Sequence, residues 1–300
     1  MSRTLIFIML SVFTITAASS AAFVDNAKED KKEERKPVLS CDTYSLRSLY
    51  ADGKLTHLTA PALMKELEIP GITFNDIWFE SWDKEYLDRI KAACAESGIR
   101  ITGVIAEGNM VSDDQEAVRK QLETNKMKIR AAAYLGAPII RLNVGGTGRA
   151  EDDGTVGVQR AIASFNELVP LAKEMNVKLT IENHGGVSKH GDWILAIVKG
   201  TDPEWVGVCL DFGNWSEDVR YVECKKLAPY SYHTHAKCNP FFDRGEQGRK
   251  DFGRVLGYMQ DVDYRYAVSI EYEGRGDQIE GVKASRDLIL EYWPELKDNR

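Results

Sequence analysis

Four stretches in the second half of the chain decide the fold: Thr180-Ile-Glu-Asn-His-Gly-Gly186, Cys209-Leu-Asp-Phe-Gly-Asn214, Tyr232-His-Thr-His-Ala-Lys237 and Ser269-Ile-Glu-Tyr-Glu-Gly274. Each follows or contains apolar residues typical of a strand and ends in ionisable side chains or glycine. In a barrel of parallel strands, the carboxyl ends of all strands converge on one mouth. The four stretches therefore predict one polar site at the mouth of a barrel.

Short apolar runs alternate with helical segments along the rest of the chain. The predicted strands are Val38–Tyr44, Ile72–Phe79, Arg100–Ala106, Ile139–Val144, Lys178–Asn183, Val206–Asp211, Ser231–Lys237 and Ala267–Glu271. The predicted helices include Asp83–Ser97, Asp114–Tyr134, Val158–Met175, Gly191–Val198 and Gln278–Tyr292. Repeated strand–helix–strand units imply parallel strands with right-handed crossovers. Eight such units in about 260 residues predict an α/β fold, a single-domain (β/α)8 TIM barrel over residues 37–300. No glycine-rich turn follows the first strand, as an open doubly wound sheet would favour.

The N-terminal segment has the pattern of a secretory signal peptide, predicted over residues 1–22. Arg3 precedes the apolar run Leu5–Ile15, and the residues Ala17–Ala22 are all small. The apolar run is shorter than the roughly 20 residues that span a membrane, although an uncleaved anchor is an alternative. From Asp25 to Lys36 nearly every residue is charged, and residues 23–36 are predicted to form a flexible linker. We therefore expect an exported protein, periplasmic or extracellular, with no stable membrane insertion after cleavage.

Composition excludes one class of partner. The chain has 39 basic and 46 acidic residues and a net charge of −7, whereas a nucleic-acid-binding protein needs a basic surface. Hydrophobic residues make up 43% of the 300 residues, as in ordinary globular proteins. The five cysteines show no disulfide or zinc pattern, so their pairing stays open.

The polar strand ends also predict a metal site. Residues two apart in a strand share a face, which groups Glu182 with His184, Cys209 with Asp211, His233 with His235 and Lys237, and Glu271 with Glu273. An unpaired carboxylate inside a barrel costs several kcal/mol, so these acids need a common cation. Two Glu, one Asp and one His suit one divalent ion, Mn, Mg, Co or Zn. Taken singly, the motifs also fit rim salt bridges, a helix cap at Asp211, buried structural histidines, or ion pairs of Glu271 and Glu273 with Arg265 or Arg275.

The series IENHGG, LDFGN, HTHAK and SIEYEG, with DFGRVLGYM before the last strand, resembles the sugar isomerase/epimerase superfamily of xylose-isomerase-like barrels. The resemblance covers Pro37 to Arg300 in strand order. It implies that Glu182, Asp211, His235 and Glu271 hold one metal ion, with His235 preferred over His233 because it lies two residues before a lysine. It also implies that Glu182 and Glu271 are catalytic, removing and returning a proton next to a carbonyl group. The candidate substrate-binding residues are His184, Lys237, Arg141, Glu273 and His233.

The expected function is that of a metal-dependent sugar isomerase or epimerase. Export favours an unphosphorylated sugar or keto-sugar as substrate, because sugar phosphates are cytosolic metabolites. The alternatives are a metal-dependent lyase or dehydratase acting on a sugar or glycoside, and a non-catalytic carbohydrate-binding barrel. The apurinic endonuclease branch is disfavoured by the acidic composition and the few histidines. The sequence does not determine the substrate, the metal or the reaction outcome. It is compatible with a homo-oligomer.

Overall fold

Eight parallel strands close into a barrel in the computed structural model, which describes residues 35–297. The strands are β1 (Val38–Asp42), β2 (Gly71–Asn75), β3 (Arg100–Ala106), β4 (Ile139–Leu142), β5 (Lys178–Glu182), β6 (Val206–Asp211), β7 (Ser231–Ala236) and β8 (Ala267–Ile270). Each strand pairs with the next in sequence, and β8 pairs with β1. The predicted (β/α)8 barrel is therefore confirmed.

Helices cover the outside of the barrel and connect its strands. They are α1 (Arg47–Ala51), α2 (Ala60–Glu66), α3 (Lys84–Ser97), α4 (Gln115–Leu135), α5 (Ala150–Asp152), α6 (Val158–Met175), α7 (Gly191–Gly200), α8 (Glu217–Leu227), α9 (Asn239–Phe242), α10 (Gly245–Asp261) and α11 (Gln278–Tyr292). Aspartates begin three of the long helices by accepting backbone N–H groups: Asp83 for α3, Asp114 for α4 and Asp277 for α11. Within residues 35–297, no helix combines the length and apolar character needed to cross a membrane.

Several strands end earlier than the sequence predicts, because polar residues turn the chain at the mouth. The Asp42 carboxylate accepts the N–H of Tyr44 and starts a 3-10 helix at Thr43, so β1 does not continue to Tyr44. Asn75 accepts the N–H of Ile77 in the same way, which ends β2 four residues before the predicted Phe79. The extensions of β1 and β2 were therefore wrong. The bounds of β3 and β6 match the prediction.

A layer of hydroxyl groups fills the barrel beneath its mouth. Ser40 Oγ lies 2.6 Å from Thr102 Oγ1, and Thr73 Oγ1 lies 2.9 Å from the same atom. Thr73 Oγ1 also lies 3.2 Å from Ser269 Oγ and 3.4 Å from His233 Nε2. Hydroxyl groups both donate and accept, so they satisfy one another without any charge. Ser40 and Ser269 come two residues before Asp42 and Glu271, so the layer lies one step below the acids of the mouth.

The predicted signal peptide, residues 1–22, lies outside the described residues. So does the predicted linker, residues 23–36, except for its last two residues. Both remain predictions.

His57 is a buried histidine that burial keeps neutral and that has one partner at each ring nitrogen. Its Nε2 lies 3.0 Å from the carbonyl oxygen of Asn75, which only accepts, so Nε2 carries the proton. Its Nδ1, 3.0 Å from Tyr50 Oη, then accepts from that hydroxyl. Burial lowers the pKa of His57 from 6.5 to about 4.

We predict that His57 makes stability fall with acidification. Between pH 6.5 and about 4 the unfolded chain binds a proton that the folded protein does not, so the free energy of unfolding decreases as pH falls through this window. Between pH 7 and 4.5, the free energy of unfolding should fall by about 2 kcal/mol less in the His57→Gln variant than in the wild type, as measured by urea unfolding. The control is His190→Gln, at an exposed position. Equal pH dependence of the wild type and His57→Gln would contradict the assignment.

Candidate active site

Four acidic and imidazole side chains meet at the mouth of the barrel. Glu182 and Asp211 are the last residues of β5 and β6, His235 lies in β7, and Glu271 directly follows β8. Asp211 pairs with His235 in the strand register, which places their side chains together. Each of the four offers one ligand atom, these atoms lie within 4.8 Å of one another, and all four residues are buried. The structure thus brings together the four residues proposed as metal ligands.

His235 lies between the two glutamates. Its Nδ1 is 3.1 Å from Glu182 Oε1 and 3.3 Å from Glu271 Oε1. Burial opposes a charge on the imidazole, but Cys209 and the two glutamates outweigh it and raise the pKa of His235 well above its usual value. The imidazole is therefore the point at which both predicted catalytic carboxylates converge.

Arg141, at the end of β4, holds Glu182 in place. Its Nη2 lies 2.7 Å from Glu182 Oε2, and its Nη1 donates to Glu107 Oε1 at 2.8 Å. Asn143 donates to the other Glu107 oxygen at 2.7 Å. Arg141 was predicted to bind substrate, yet both ends of its guanidinium contact carboxylates. In this arrangement its direct effect is on the position and charge of Glu182.

Lys237 is the second cation of the site. Its Nζ lies 3.2 Å from Asp211 Oδ2 and 3.0 Å from both Glu271 Oε2 and Glu273 Oε2. The ion pairs of Glu271 and Glu273 are therefore with Lys237, whereas Arg265 contacts Asp263. The stem of Lys237 passes over Gly213, where a Cβ atom would lie 2.8 Å from its Cδ. Glycine at this position leaves room for the lysine to reach the carboxylates.

Asp211 divides its two oxygens between structure and site. Its Oδ1 accepts the backbone N–H groups of Gly213 and Asn214 at 2.7 and 2.6 Å. Its Oδ2 faces Lys237 and the other acids. Asp211 therefore stabilises a turn and does not cap a helix, because α8 begins only at Glu217. One oxygen remains available to a ligand.

The site holds more negative than positive charge. Four carboxylates, those of Asp42, Glu182, Asp211 and Glu271, are buried there with three cationic groups, Arg141, Lys237 and the imidazole of His235, whose pKa is raised. Burial raises the pKa of Asp211 to about 7, and the charges of Glu271 and Glu182 add to this effect while Lys237 opposes it. Burial alone would also raise the pKa of Glu182, but Arg141 and His235 hold it well below its usual value. For Glu271, His235 and Lys237 likewise outweigh burial and lower the pKa.

This donor set fits a divalent cation. Glu182 Oε2, Asp211 Oδ2 and Glu271 Oε2 are buried and have no partner in hydrogen-bond geometry, although each lies near a cation. Buried carboxylate oxygens without hydrogen bonds are costly unless a charge compensates them. Three carboxylates and one imidazole are ligands that Mn, Mg, Co and Zn accept.

The remaining predicted substrate-binding residues occupy different depths. His184 is exposed in the loop after β5, and its backbone N–H donates to Ser188 Oγ. Glu273 is partly exposed beside Lys237. His233 is fully buried, two residues before His235 in β7, in the hydroxyl layer. Their roles in substrate binding stay predictions.

The sequence analysis missed two acids of the mouth. Asp42 ends β1, where its Oδ2 lies 3.5 Å from His235 Nε2. Glu107 follows β3 and contacts Arg141. Both come directly after an apolar strand, which is the same signal that identified Asp211 and Glu271. Applying this signal to all eight strands, and not only to the last four, would have found them.

We predict that Lys237 stabilises the metal-free protein in a pH-dependent manner. Lys237→Met leaves Asp211, Glu271 and Glu273 without their common cation, so the free energy of unfolding should fall by about 3 kcal/mol at pH 8. The loss should shrink as pH falls below about 7, where Asp211 takes up a proton. Urea unfolding measures both values. The control Lys54→Met removes an exposed ion pair with Asp52 and should leave the free energy of unfolding and its pH dependence nearly unchanged. A loss independent of pH would contradict the electrostatic explanation.

Comparisons with known proteins agree with the barrel fold. Among solved structures, a D-psicose 3-epimerase from Clostridium cellulolyticum H10 superposes with a TM-score of 0.67 at 15% identity, covering 86% of this chain and 99% of that one. A xylose isomerase domain protein from Planctomyces limnophilus superposes with a TM-score of 0.64 at 15% identity, covering 89% of this chain and 99% of that one. A probable 3-DHS dehydratase from Bacillus anthracis superposes with a TM-score of 0.64 at 15% identity, covering 84% of this chain and 98% of that one.

At such identities the superpositions establish the fold alone. A comparison with curated protein sequences finds no match. The family model described as xylose isomerase-like TIM barrel matches residues 61–292, most of the chain. This protein therefore belongs to the xylose isomerase-like TIM barrel family.

Proposed function

We propose that this protein is a metal-dependent sugar isomerase or epimerase. The observation that carries the proposal is the cluster of Glu182, Asp211, His235 and Glu271, whose ligand atoms lie within 4.8 Å of one another in a buried site at the barrel mouth. The enzymes with known structures that superpose on the chain include sugar epimerases, which supports this class of reaction.

Glu182, Asp211, His235 and Glu271 would hold the ion, one Mn, Mg, Co or Zn. When bound, such an ion polarises a carbonyl oxygen of the substrate and stabilises the negative charge that develops when a neighbouring C–H bond breaks. The imidazole of His235 and the carboxylate oxygens that lack a partner in hydrogen-bond geometry would supply the donors.

Glu182 and Glu271 are suited to move the proton. Both are ionised at neutral pH, because nearby cations lower the pKa of each. A carboxylate with a lowered pKa is a weak base, so it removes a proton from carbon only when the adjacent carbonyl group is strongly polarised. We propose that one of the two removes the proton and that the other returns it. Arg141 keeps Glu182 charged and oriented through its contact with Oε2.

The substrate class follows from the charges at the mouth. Arg141 and Lys237 both lie against carboxylates, so neither is left to bind a phosphate group. The mouth therefore suits a neutral sugar or keto-sugar with hydroxyl groups rather than a sugar phosphate. The predicted signal peptide supports the same choice, since export would keep the enzyme away from cytosolic sugar phosphates. We accordingly propose a periplasmic or extracellular enzyme.

We predict that glutamine variants separate proton transfer from metal binding. In D2O, the metal-loaded wild type should incorporate deuterium at carbon of at least one unphosphorylated sugar or keto-sugar in a panel, detected by NMR. Glu182→Gln and Glu271→Gln should lower this exchange by about 100-fold or more, because an amide is not a base. His190→Gln, at an exposed position, should exchange as the wild type does.

Metal content gives the second readout of the same prediction. After dialysis, Asp211→Asn and His235→Gln should retain less metal than the two glutamate variants, and part of their exchange should return at high metal concentration. Full exchange in metal-loaded Glu271→Gln would refute its catalytic role. Exchange with loss of water would identify a dehydratase, and absence of exchange with every sugar would overturn the enzymatic proposal.

A further inference from the structure

The structure places two buried polar atoms face to face without any other partner. Asp42 Oδ2 and His235 Nε2 lie 3.5 Å apart, and both side chains are fully buried. Neither atom has a partner in hydrogen-bond geometry, and their contact with each other is an ion-pair distance only. A buried donor or acceptor without a partner is rare in a folded protein, so two such atoms in van der Waals range are best explained as partners of each other.

The Asp42 carboxylate cannot turn freely. Its other oxygen, Oδ1, accepts the backbone N–H of Tyr44 at 2.7 Å in the turn that ends β1. This hydrogen bond directs Oδ2 into the barrel. Cys41 in β1 pairs with Ile270 in β8. Asp42 and Glu271 are the next residues of the two chain segments after this pair. The register therefore brings Asp42 next to Glu271, while Asp42 Oδ2 faces the imidazole nitrogen that the two glutamates do not contact.

We infer that Asp42 positions His235 by accepting its Nε2 proton. An imidazole nitrogen that carries a proton donates, and only one without a proton is a metal ligand. If Nε2–H is fixed against Asp42, the nitrogen left to bind the ion is Nδ1. This is the nitrogen that lies 3.1 Å from Glu182 Oε1 and 3.3 Å from Glu271 Oε1. Asp42 itself does not belong to the four clustered donors.

The inference deepens the proposed function and rests on it, because Asp42 acts here on a ligand of the proposed ion. Carboxylates that orient a metal-bound histidine typically change metal affinity by about 10- to 100-fold when removed. Asp42 is thus a positioning residue and makes no contact of its own with the ion or the substrate.

The decisive variant is Asp42→Asn. The N–H of Tyr44 requires an oxygen at the Oδ1 position, so the asparagine amide nitrogen would face His235. Two donors cannot face each other, so Nε2 would lose its proton and Nδ1 would keep one. Asp42→Ala removes the acceptor without this reversal. Cys209→Ala is the matched control, because the thiol of Cys209 is another buried group near the same imidazole but is not a carboxylate.

We expect an Nε2–H correlation of His235 in the 15N-histidine NMR spectrum of the wild type and of Cys209→Ala, both metal-free and zinc-loaded. His57→Gln and His233→Gln identify the resonances of the other buried histidines. Asp42→Asn should lose this correlation, and its Mn2+ affinity, measured by EPR titration, should fall about 10- to 100-fold, with a smaller loss in Asp42→Ala.

An Nε2 without a proton in the wild type, or an Asp42→Asn variant with unchanged Nε2–H and unchanged Mn2+ affinity, would overturn the inference. Circular dichroism verifies that each variant is folded, and the Asp42→Ala variant supplies the comparison if Asp42→Asn does not fold. A wild type that binds no divalent ion would refute the proposed function. The NMR result would still decide whether Asp42 holds the Nε2 proton, so the two failures can be distinguished.

Discussion

The repulsion among buried carboxylates is the constraint on which the structure of the barrel mouth depends. Asp42, Glu182, Asp211 and Glu271 come from four different strands but meet around one imidazole. Like charges in a site of low dielectric destabilise one another, and each lost hydration shell adds to the cost. The protein offsets part of this cost with Arg141 and Lys237, while burial and the charges of Glu271 and Glu182 raise the pKa of Asp211. A divalent cation would supply the missing positive charge.

The rest of the fold serves to hold these charges in place. Parallel strands of similar length bring their carboxyl ends to one level, and polar residues such as Asp42 and Asn75 turn the chain there. Beneath the carboxylates, the hydroxyl groups of Ser40, Thr73 and Thr102 contact one another and add no charge to the barrel. Backbone amides hold Asp42 and Asp211, and Arg141 holds Glu182, so these carboxylates are restrained before a ligand binds.

The sequence was sufficient for the fold, because strand–helix alternation repeats in every unit, and the family resemblance selected the four clustered donors among the polar ends of the last four strands. Strand alternation predicted the barrel, and an acid after an apolar strand predicted the mouth. The strand ends were less predictable, since Asp42 and Asn75 form local turns that compete with the strand pairing. The contacts of Arg141 and Lys237 were also beyond reach, because spacing does not show whether a long cationic side chain faces a carboxylate or a substrate. The place of Asp42 beside His235 depends on barrel closure between β1 and β8.

The most direct test of the account is a crystal structure of the protein grown with Mn2+, with anomalous diffraction data collected at the manganese edge. The account predicts one anomalous peak, with oxygen ligands from Glu182, Asp211 and Glu271 and a nitrogen ligand from His235. Difference density without an anomalous peak among these four side chains, at saturating Mn2+, would contradict it.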